Sequence, residues 1–439
     1  MKKYIVVLLI FVLITGCENI VEYDNKNINT ESELSEDKNF TFNKLYNINE
    51  LKDDIKQYNE IINKVAQITD NQIKDIEIGV DEIERSMTEF DFLKILSRNT
   101  AQLNNNDFYI IPSLNFEKHL SKNTKLFPSE ALVINDLIIL EGEYDNLINP
   151  KVLSINSIPY NIIIEDMMDI INYNGNIFAA YDRISEEFKY LFYLLYGESE
   201  DYIIKIESNG ETSIINLTGR IYDDDLIIGE PYEENLIEDC ISYKKFQESG
   251  KNIAYLKINT IVDNEDNFIN KFEMTISDII KNDTDVLLLD TSDNKTRNPE
   301  LTKEIFSYFI QEETEYNNYN NGYELCKPNP INYDKDLVLI VSPKSSSIVN
   351  QLNLRLLNDN VKIAGVNTSS GNIAYYDLIT EELANTKIRI TYPRKCMKII
   401  GETELYEYGL KPDYFNSGLL FKNSKDIFIK EVIKKMCST

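Results

Sequence analysis

The last two hundred residues of the chain alternate between strand-like and helix-like segments, and this alternation limits the folds that the chain can adopt. Short apolar runs are followed by stretches with helical spacing. The segments are, in order, strand 253–258, helix 267–281, strand 286–289, helix 301–311, strand 337–341, helix 348–357 and strand 361–366. Strands separated by helices form right-handed crossovers onto one sheet. The pattern therefore predicts an α/β fold with a mostly parallel sheet and crossover helices.

The residues before this alternation predict further regions in a chain of 439 residues, which is long enough for two or three domains. Apolar residues recur at helical spacing over 48–65, and a second helical stretch covers 80–103. Short strand-like runs follow, with helical stretches at 162–171 and 186–197 and a hairpin about the Asn209-Gly210 turn. We expect three regions: a helical segment over 46–104, a mixed α+β domain over 105–235 and the crossover-sheet core over 236–439.

The first residues have the features of an export signal. A basic pair precedes an uncharged apolar run over residues 4–14, which is shorter than the roughly 20 residues of a membrane span. The run ends in a Thr-Gly-Cys sequence whose Cys17 resembles the lipidated cysteine of bacterial lipoproteins. We expect removal of 1–16 as a signal peptide, lipidation of Cys17, and a flexible acidic tether over 17–45. The lipid would hold the protein on the outer face of the cytoplasmic membrane.

The charge of the chain excludes one class of partner. The formal net charge is −28, and loss of the signal peptide leaves 43 basic against 73 acidic residues. Such a surface repels phosphate backbones, so we expect no nucleic-acid partner. The sequence contains a single His, and its cysteines lack metal-ligand spacing, so we expect no metal site and no cofactor. The cysteines after the signal, which fit either disulfides or free thiols, are Cys240, Cys326, Cys396 and Cys437.

Several sequence blocks resemble, in order, those of the tail-specific (C-terminal processing) serine proteases. The matching blocks are KVLSINSIP at 151–159, IAYLKI at 253–258, the run 285–290 followed by Asn294, the strand-to-helix stretch 336–350, and EYGLKPD at 407–413. Together they cover most of residues 90–420. The resemblance implies the protease fold and a serine-type peptidase that acts on peptide or protein segments.

The resemblance places the nucleophile at Ser347, the last of three serines in a turn that opens a helix. Peptide hydrolysis by serine needs an exposed hydroxyl, a base that takes its proton, and donors for the oxyanion. The N-terminus of a helix favours a developing negative charge. The same serines, Ser345 to Ser347, would also serve as N-cap residues for a helix that starts near Ile348, whether or not one of them reacts.

The catalytic base of the family is missing from both of its usual positions. One branch of the family uses a Lys, and the matching stretch 368–372 contains none. The other branch uses a His, and the matching stretch 105–108 reads Asn-Asn-Asp-Phe. Weak substitutes are Lys344, three residues before the serine, and His119, a dozen residues beyond the missing His. Glu407 in the closing block is a weak candidate for the family's acid.

The oxyanion segment has also changed. Asp290 and Asn294 match it, whereas the family's Arg and its pair of Gly residues are replaced. Three functions remain open: a lipid-anchored serine-type peptidase with an altered site, a non-catalytic pseudoprotease that binds peptides, and a solute-binding lipoprotein. The substitutions favour the pseudoprotease, while the retained Ser347 supports the peptidase. The order of the sequence blocks weakens the solute-binding alternative, because that class would not need it.

Overall fold

The computed structural model describes the following residues: 41–69, 76–103, 105–222, 226, 228–229, 240–260, 265–319, 322–357, 361–398 and 409–437. They all belong to one compact unit, Lys38–Thr439. The signal peptide, Cys17, most of the tether and Glu407 lie outside the described residues. In the part of the chain that is described, no helix is both long enough and apolar enough to cross a bilayer.

The α-helices and β-strands follow one another along the whole described chain. The helices are α1 (Ile48–Thr69), α2 (Glu89–Thr100), α3 (Leu114–Asn123), α4 (Tyr160–Met168), α5 (Ile177–Tyr196), α6 (Glu265–Lys281), α7 (Pro299–Ser307), α8 (Ser347–Arg355) and α9 (Lys425–Val432). The strands are β1 (Leu45–Tyr46), β2 (Met87–Thr88), β3 (Tyr109–Ile111), β4 (Ala131–Ile134), β5 (Leu137–Leu140), β6 (Glu143–Tyr144), β7 (Leu147–Ile148), β8 (Lys151–Ile155), β9 (Ile158–Pro159), β10 (Asp201–Ser208), β11 (Glu211–Thr218), β12 (Ile241–Glu248), β13 (Lys251–Ile258), β14 (Val286–Asp290), β15 (Thr314–Tyr319), β16 (Gly322–Cys326), β17 (Asp336–Val341), β18 (Val361–Gly365), β19 (Ile373–Glu382), β20 (Arg389–Lys398) and β21 (Tyr414–Phe415).

The central sheet has the order β12-β13-β14-β17-β18-β21. The pairs from β13 to β21 are parallel, and β12 joins the edge of the sheet as an antiparallel strand. All residues of β14 are buried, as its uninterrupted apolar run predicts for a strand covered on both faces. Helices α6, α7 and α8 contribute to the core on one face, and α9 contributes to the core on the other. The strands and helices predicted over 253–366 are thus all present, with ends shifted by a few residues.

The N-terminal half of the described chain is built around a second sheet, of order β11-β10-β8-β5-β4. Helices α1, α2 and α5 share one apolar core with this sheet and with residues of the 383–392 segment. The predicted hairpin is formed by β10 and β11, and its turn residues Asn209 and Gly210 have positive φ angles of 52° and 81°. The domain boundaries at residues 104 and 235 stay predictions.

One predicted helix was wrong in its first part. The stretch 80–103 begins with a short 3₁₀ turn and the strand β2, and α2 starts only at Glu89. Strand β2 pairs with β1, and Thr88 caps α2 by accepting a hydrogen bond from the amide of Asp91. Tertiary pairing and a cap therefore override the helical spacing of the first residues.

A three-stranded sheet of order β19-β20-β3 joins the two halves of the chain. Strand β3 pairs with β20 through Tyr109 and Thr391, which are far apart in sequence. Helix α8 packs on β19. The residues just before β3 are thereby brought to the start of α8, where the serine turn lies.

Candidate active site

The first two serines of the turn are held by hydrogen bonds to uncharged backbone groups. Ser345 Oγ donates to the carbonyl of Thr291 at 2.7 Å. Ser346 Oγ donates to the carbonyl of Thr296 at 2.5 Å and accepts from the amide of Val349 at 3.2 Å. Ser346 is therefore the N-cap of α8, and Ser347 is its first helical residue. The helix starts one residue before the predicted Ile348.

The hydroxyl of Ser347 lies among a carboxylate and two backbone groups. Its Oγ accepts a hydrogen bond from the amide of Tyr375 at 3.2 Å. It lies 3.1 Å from the carbonyl oxygen of Tyr375 and 3.4 Å from Oδ2 of Asp107, and its single proton serves one of these acceptors at a time. Among the described residues, no basic nitrogen makes a hydrogen bond with this hydroxyl. Ser347 is also only 6% exposed.

Asp107 occupies the position at which the family resemblance expects a His. Its Oδ1 forms an ion pair with Nη1 of Arg297 at 2.5 Å, and its side chain is 7% exposed. Burial alone would lower the pKa of Arg297, but the negative charge of Asp107 outweighs it and raises the pKa. Asp107 was not a candidate in the sequence analysis, although it lies in the 105–108 stretch. The neighbouring sequence does not reveal that an Asp in place of the expected His contacts the serine, because Asp107 and Ser347 are 240 residues apart.

The loop at 368–372, where the other branch of the family has its Lys, is held by side-chain amides. Asn106 donates to the carbonyl of Ser369 at 2.9 Å, and Asn176 donates to that of Thr368 at 2.7 Å. From α8, Asn350 donates to Ser370 Oγ at 2.8 Å. These amides fix the loop in place, but they are not bases.

A cavity of about 340 Å³ opens beside Ser347. Charged side chains from α5 and from the segment after β14 line it. Lys295 Nζ lies 3.1 Å from Oε1 of Glu186, and Arg183 Nε lies 3.0 Å from Oε1 of Glu187. Burial and the charge of Glu186 raise the pKa of Asp182, which lines the same wall, to about 7. The cavity thus combines paired charges with one carboxyl group that titrates near neutrality.

The comparisons with known proteins concern the fold. No family model and no curated protein matches the sequence. Among solved structures, mature CPAF aligns over 88% of this chain and 97% of its own, with a TM-score of 0.60 and 11% identity. Mature CPAF complexed with lactacystin aligns over 88% and 98%, with a TM-score of 0.60 and 10% identity. The chain has a tail-specific serine protease-like fold. The photosystem II D1 C-terminal processing protease also aligns, over 88% and 98%, at a TM-score of 0.46 and 12% identity.

Two further candidates from the sequence are placed differently in this protease-like fold. Lys344 is half-buried and lines the cavity, where its charge acts on the carboxyl groups of Asp182 and Glu186. His119 lies on α3 and stacks on the ring of Phe42 at a centroid distance of 4.3 Å. Partial burial lowers the pKa of His119, and the residue is not part of the cavity wall. Only Lys344 therefore shares the cavity with Ser347.

Asp290 and Asn294 flank the part of the chain that contacts the serine turn. Asp290 is fully buried and accepts hydrogen bonds from Ser292 Oγ at 2.6 Å and from Tyr255 Oη at 2.5 Å. The carbonyl of Asn294 accepts from the amide of Ser346 at 2.9 Å. Neither side chain belongs to the cavity wall. Asn294 therefore contacts the serine turn directly, whereas Asp290 orders the start of the segment after β14. Among the described residues, no group of side chains would fit a metal ion.

Proposed function

We propose that this protein is a membrane-anchored, extracytoplasmic lipoprotein of protease-like fold that binds peptide or protein segments without hydrolysing them. The observation that carries the proposal is the environment of Ser347. Its hydroxyl faces the carboxylate of Asp107, which is already paired with Arg297, and the backbone of Tyr375. The cavity beside it lies within the range of about 300–1,000 Å³ that ligand pockets usually have.

A serine nucleophile needs a base whose pKa is close to the working pH. An imidazole or a desolvated amine meets this requirement. Among the described residues, neither group is present at Ser347: the side chain that faces its hydroxyl is the carboxylate of Asp107, whose Oδ1 is already bonded to Arg297. The replacement of the base therefore removes proton transfer while it leaves the turn and the cavity in place.

The edge of β19 offers a means of holding an extended segment. Strand β19 is an outer strand of its sheet. Both backbone groups of Tyr375 are bonded to Ser347 at the start of α8, so an added strand would pair with the part of β19 that follows Tyr375, where no described strand pairs with its outer side. Extended peptides bind protein domains by adding a strand to such an edge. Mature CPAF, which has a similar fold, has been solved in complex with lactacystin, so a ligand is accommodated in that protein.

A fluorophosphonate probe tests the absence of hydrolysis. We expect no labelling of the wild-type protein, and Asp107→His, which places an imidazole beside the hydroxyl, is expected to introduce labelling that the added Ser347→Ala change removes. Ser86→Ala, at an exposed position that does not line the cavity, is the matched control. Binding of extended peptides by the unlabelled wild type, measured by fluorescence anisotropy, supports the proposal.

A serine-type peptidase with Asp107 as an unusual base is the second candidate, and the 3.4 Å distance from Asp107 to Ser347 favours it. Labelling of the wild type that disappears in both Ser347→Ala and Asp107→Asn would establish the peptidase and contradict the first proposal.

The anchor rests on the N-terminal sequence and has its own test. We expect incorporation of labelled palmitate into the full-length protein in a bacterial host and its loss in Cys17→Ser. Equal incorporation in both would contradict lipidation at Cys17, without bearing on the cavity.

A further inference from the structure

Strand β11 forms an exposed edge of the N-terminal sheet. It pairs with β10 through all eight of its residues, and among the described elements no strand pairs with its other side. Every residue of β11 is at least partly exposed, and the side chain of Ile214 is 68% exposed. The strand therefore presents a row of backbone donors and acceptors next to an exposed apolar side chain.

Natural proteins usually protect such edges with Lys, Pro, a bulge or a very short strand. The sequence of β11, ETSIINLT, contains neither Lys nor Pro, and its register with β10 runs without a bulge. Its one charged residue is Glu211, at the first position. A chain with a net charge of −28 repels its own copies over most of its surface, so this neutral, unprotected strand is an exception.

We propose that β11 pairs in antiparallel register with β11 of a second copy of the chain, with Ile214 opposite Ile214. Residues directly opposite each other in a sheet point to the same face. A twofold axis perpendicular to the sheet pairs residues whose numbers are both even or both odd, and here it passes between the two Ile214 residues. The exposed Ile214 side chains then cover each other, and Ser213 lies opposite Ile215 of the second copy.

This register keeps the charged residues of β10 and β11 away from their own copies. Glu211 lies opposite Leu217 of the second copy, so the two Glu211 carboxylates are about 20 Å apart along the strands. Lys205 pairs with Ile214 within the chain, which places the two Lys205 ammonium groups about 14 Å apart across four strands. Both distances exceed the Debye length of about 8 Å at physiological salt. The carboxylate of Asp145, which accepts a hydrogen bond from Ser213, is the acid nearest to the pairing.

A single pair of strands forms a small interface, so the dimer is expected to be weak and concentration-dependent. Sedimentation velocity of the purified full-length protein, from about 5 to about 500 µM, should show a rising fraction of dimer. Ile214→Glu should abolish this rise, because two carboxylates would then face each other across the axis. The same Glu lies opposite Lys205 within the chain, so the fold is retained.

The matched control is Met274→Glu, which adds the same charge at an exposed apolar position on α6 and should leave the association unchanged. Oxidative cross-linking tests the register: Ile214→Cys should form a covalent dimer, since opposite residues have Cβ atoms within disulfide reach. Asn216→Cys, on the same strand and face, should not, since its two copies would be about 14 Å apart. A wild type that stays monomeric over the whole range, equal association of Ile214→Glu, or equal cross-linking of both cysteine variants would overturn the proposal.

Discussion

The two walls of the cavity are built by different interactions. The wall that carries the serine turn is held by uncharged bonds from Ser345 and Ser346 to backbone carbonyls. A second wall, formed by α5, the residues before β3 and the charged residues after β14, depends on ion pairs, of which that of Arg297 with Asp107 lies next to Ser347. The first wall follows strand β17 of the central sheet. The second wall carries Asp107 at the position where the family resemblance expects a His.

This difference predicts how each wall responds to substitution. The bonds between the serine turn and the backbone of the segment after β14 involve no titrating partner, so they are independent of pH. A wall of partly buried charges tolerates the exchange of one charged partner for another, as long as the charges stay paired. Variants in each wall should therefore respond differently to mutation and pH.

The largest effect is expected from Arg297→Met in the charged wall. The change leaves the buried carboxylate of Asp107 without its ion-pair partner, which should lower the free energy of unfolding by about 3 kcal/mol. Urea denaturation measures the loss. The double variant Arg297→Met with Asp107→Asn should recover much of it, because no unpaired charge remains. A single variant as stable as the wild type would show that the charged wall does not depend on this pair.

The second prediction concerns the pH dependence of the same wall. Burial and the charge of Glu186, assisted by Asp293 and opposed by Lys295 and Lys344, raise the pKa of Asp182 from near 3.8 to about 7. Between these two values the folded protein binds more protons than the unfolded chain, so stability falls as the pH rises and levels off above about 7.

Asp182→Asn removes this titration. At pH 8 it should be more stable than the wild type by on the order of 2 kcal/mol, and near pH 4 the two should be alike. Urea denaturation across this range provides the measurement. Parallel pH profiles for the two proteins would contradict a half-buried Asp182 that titrates in this range.

The smallest effect is expected in the uncharged wall. Ser346→Ala removes the N-cap of α8 and the bond to Thr296, which should cost about 1 kcal/mol. Unlike the Asp182 effect, this cost should be the same at pH 5 and pH 8, since neither partner titrates. A cost that changes with pH would show that the serine turn is coupled to the charged wall, and the comparison would then fail.

Much of the fold could be predicted because its signals are local. An apolar run such as β14 and the helical spacing of α6 depend on neighbouring residues, and the Asn209-Gly210 turn depends on two. The serine turn was also found from its own residues. Which of the three serines caps the helix was left open, because that depends on hydrogen bonds to Thr291 and Thr296.

The sequence by itself determined the crossover sheet, the serine at the start of α8 and the lack of His or Lys at the expected base positions. Only the tertiary structure decided what stands beside that serine. The pairing of β3 with β20 carries Asp107 across 240 residues to Ser347, and the segment after β14 supplies Arg297 as its partner. Contacts between such distant segments follow from the packing of the whole chain, and no short stretch of residues records them.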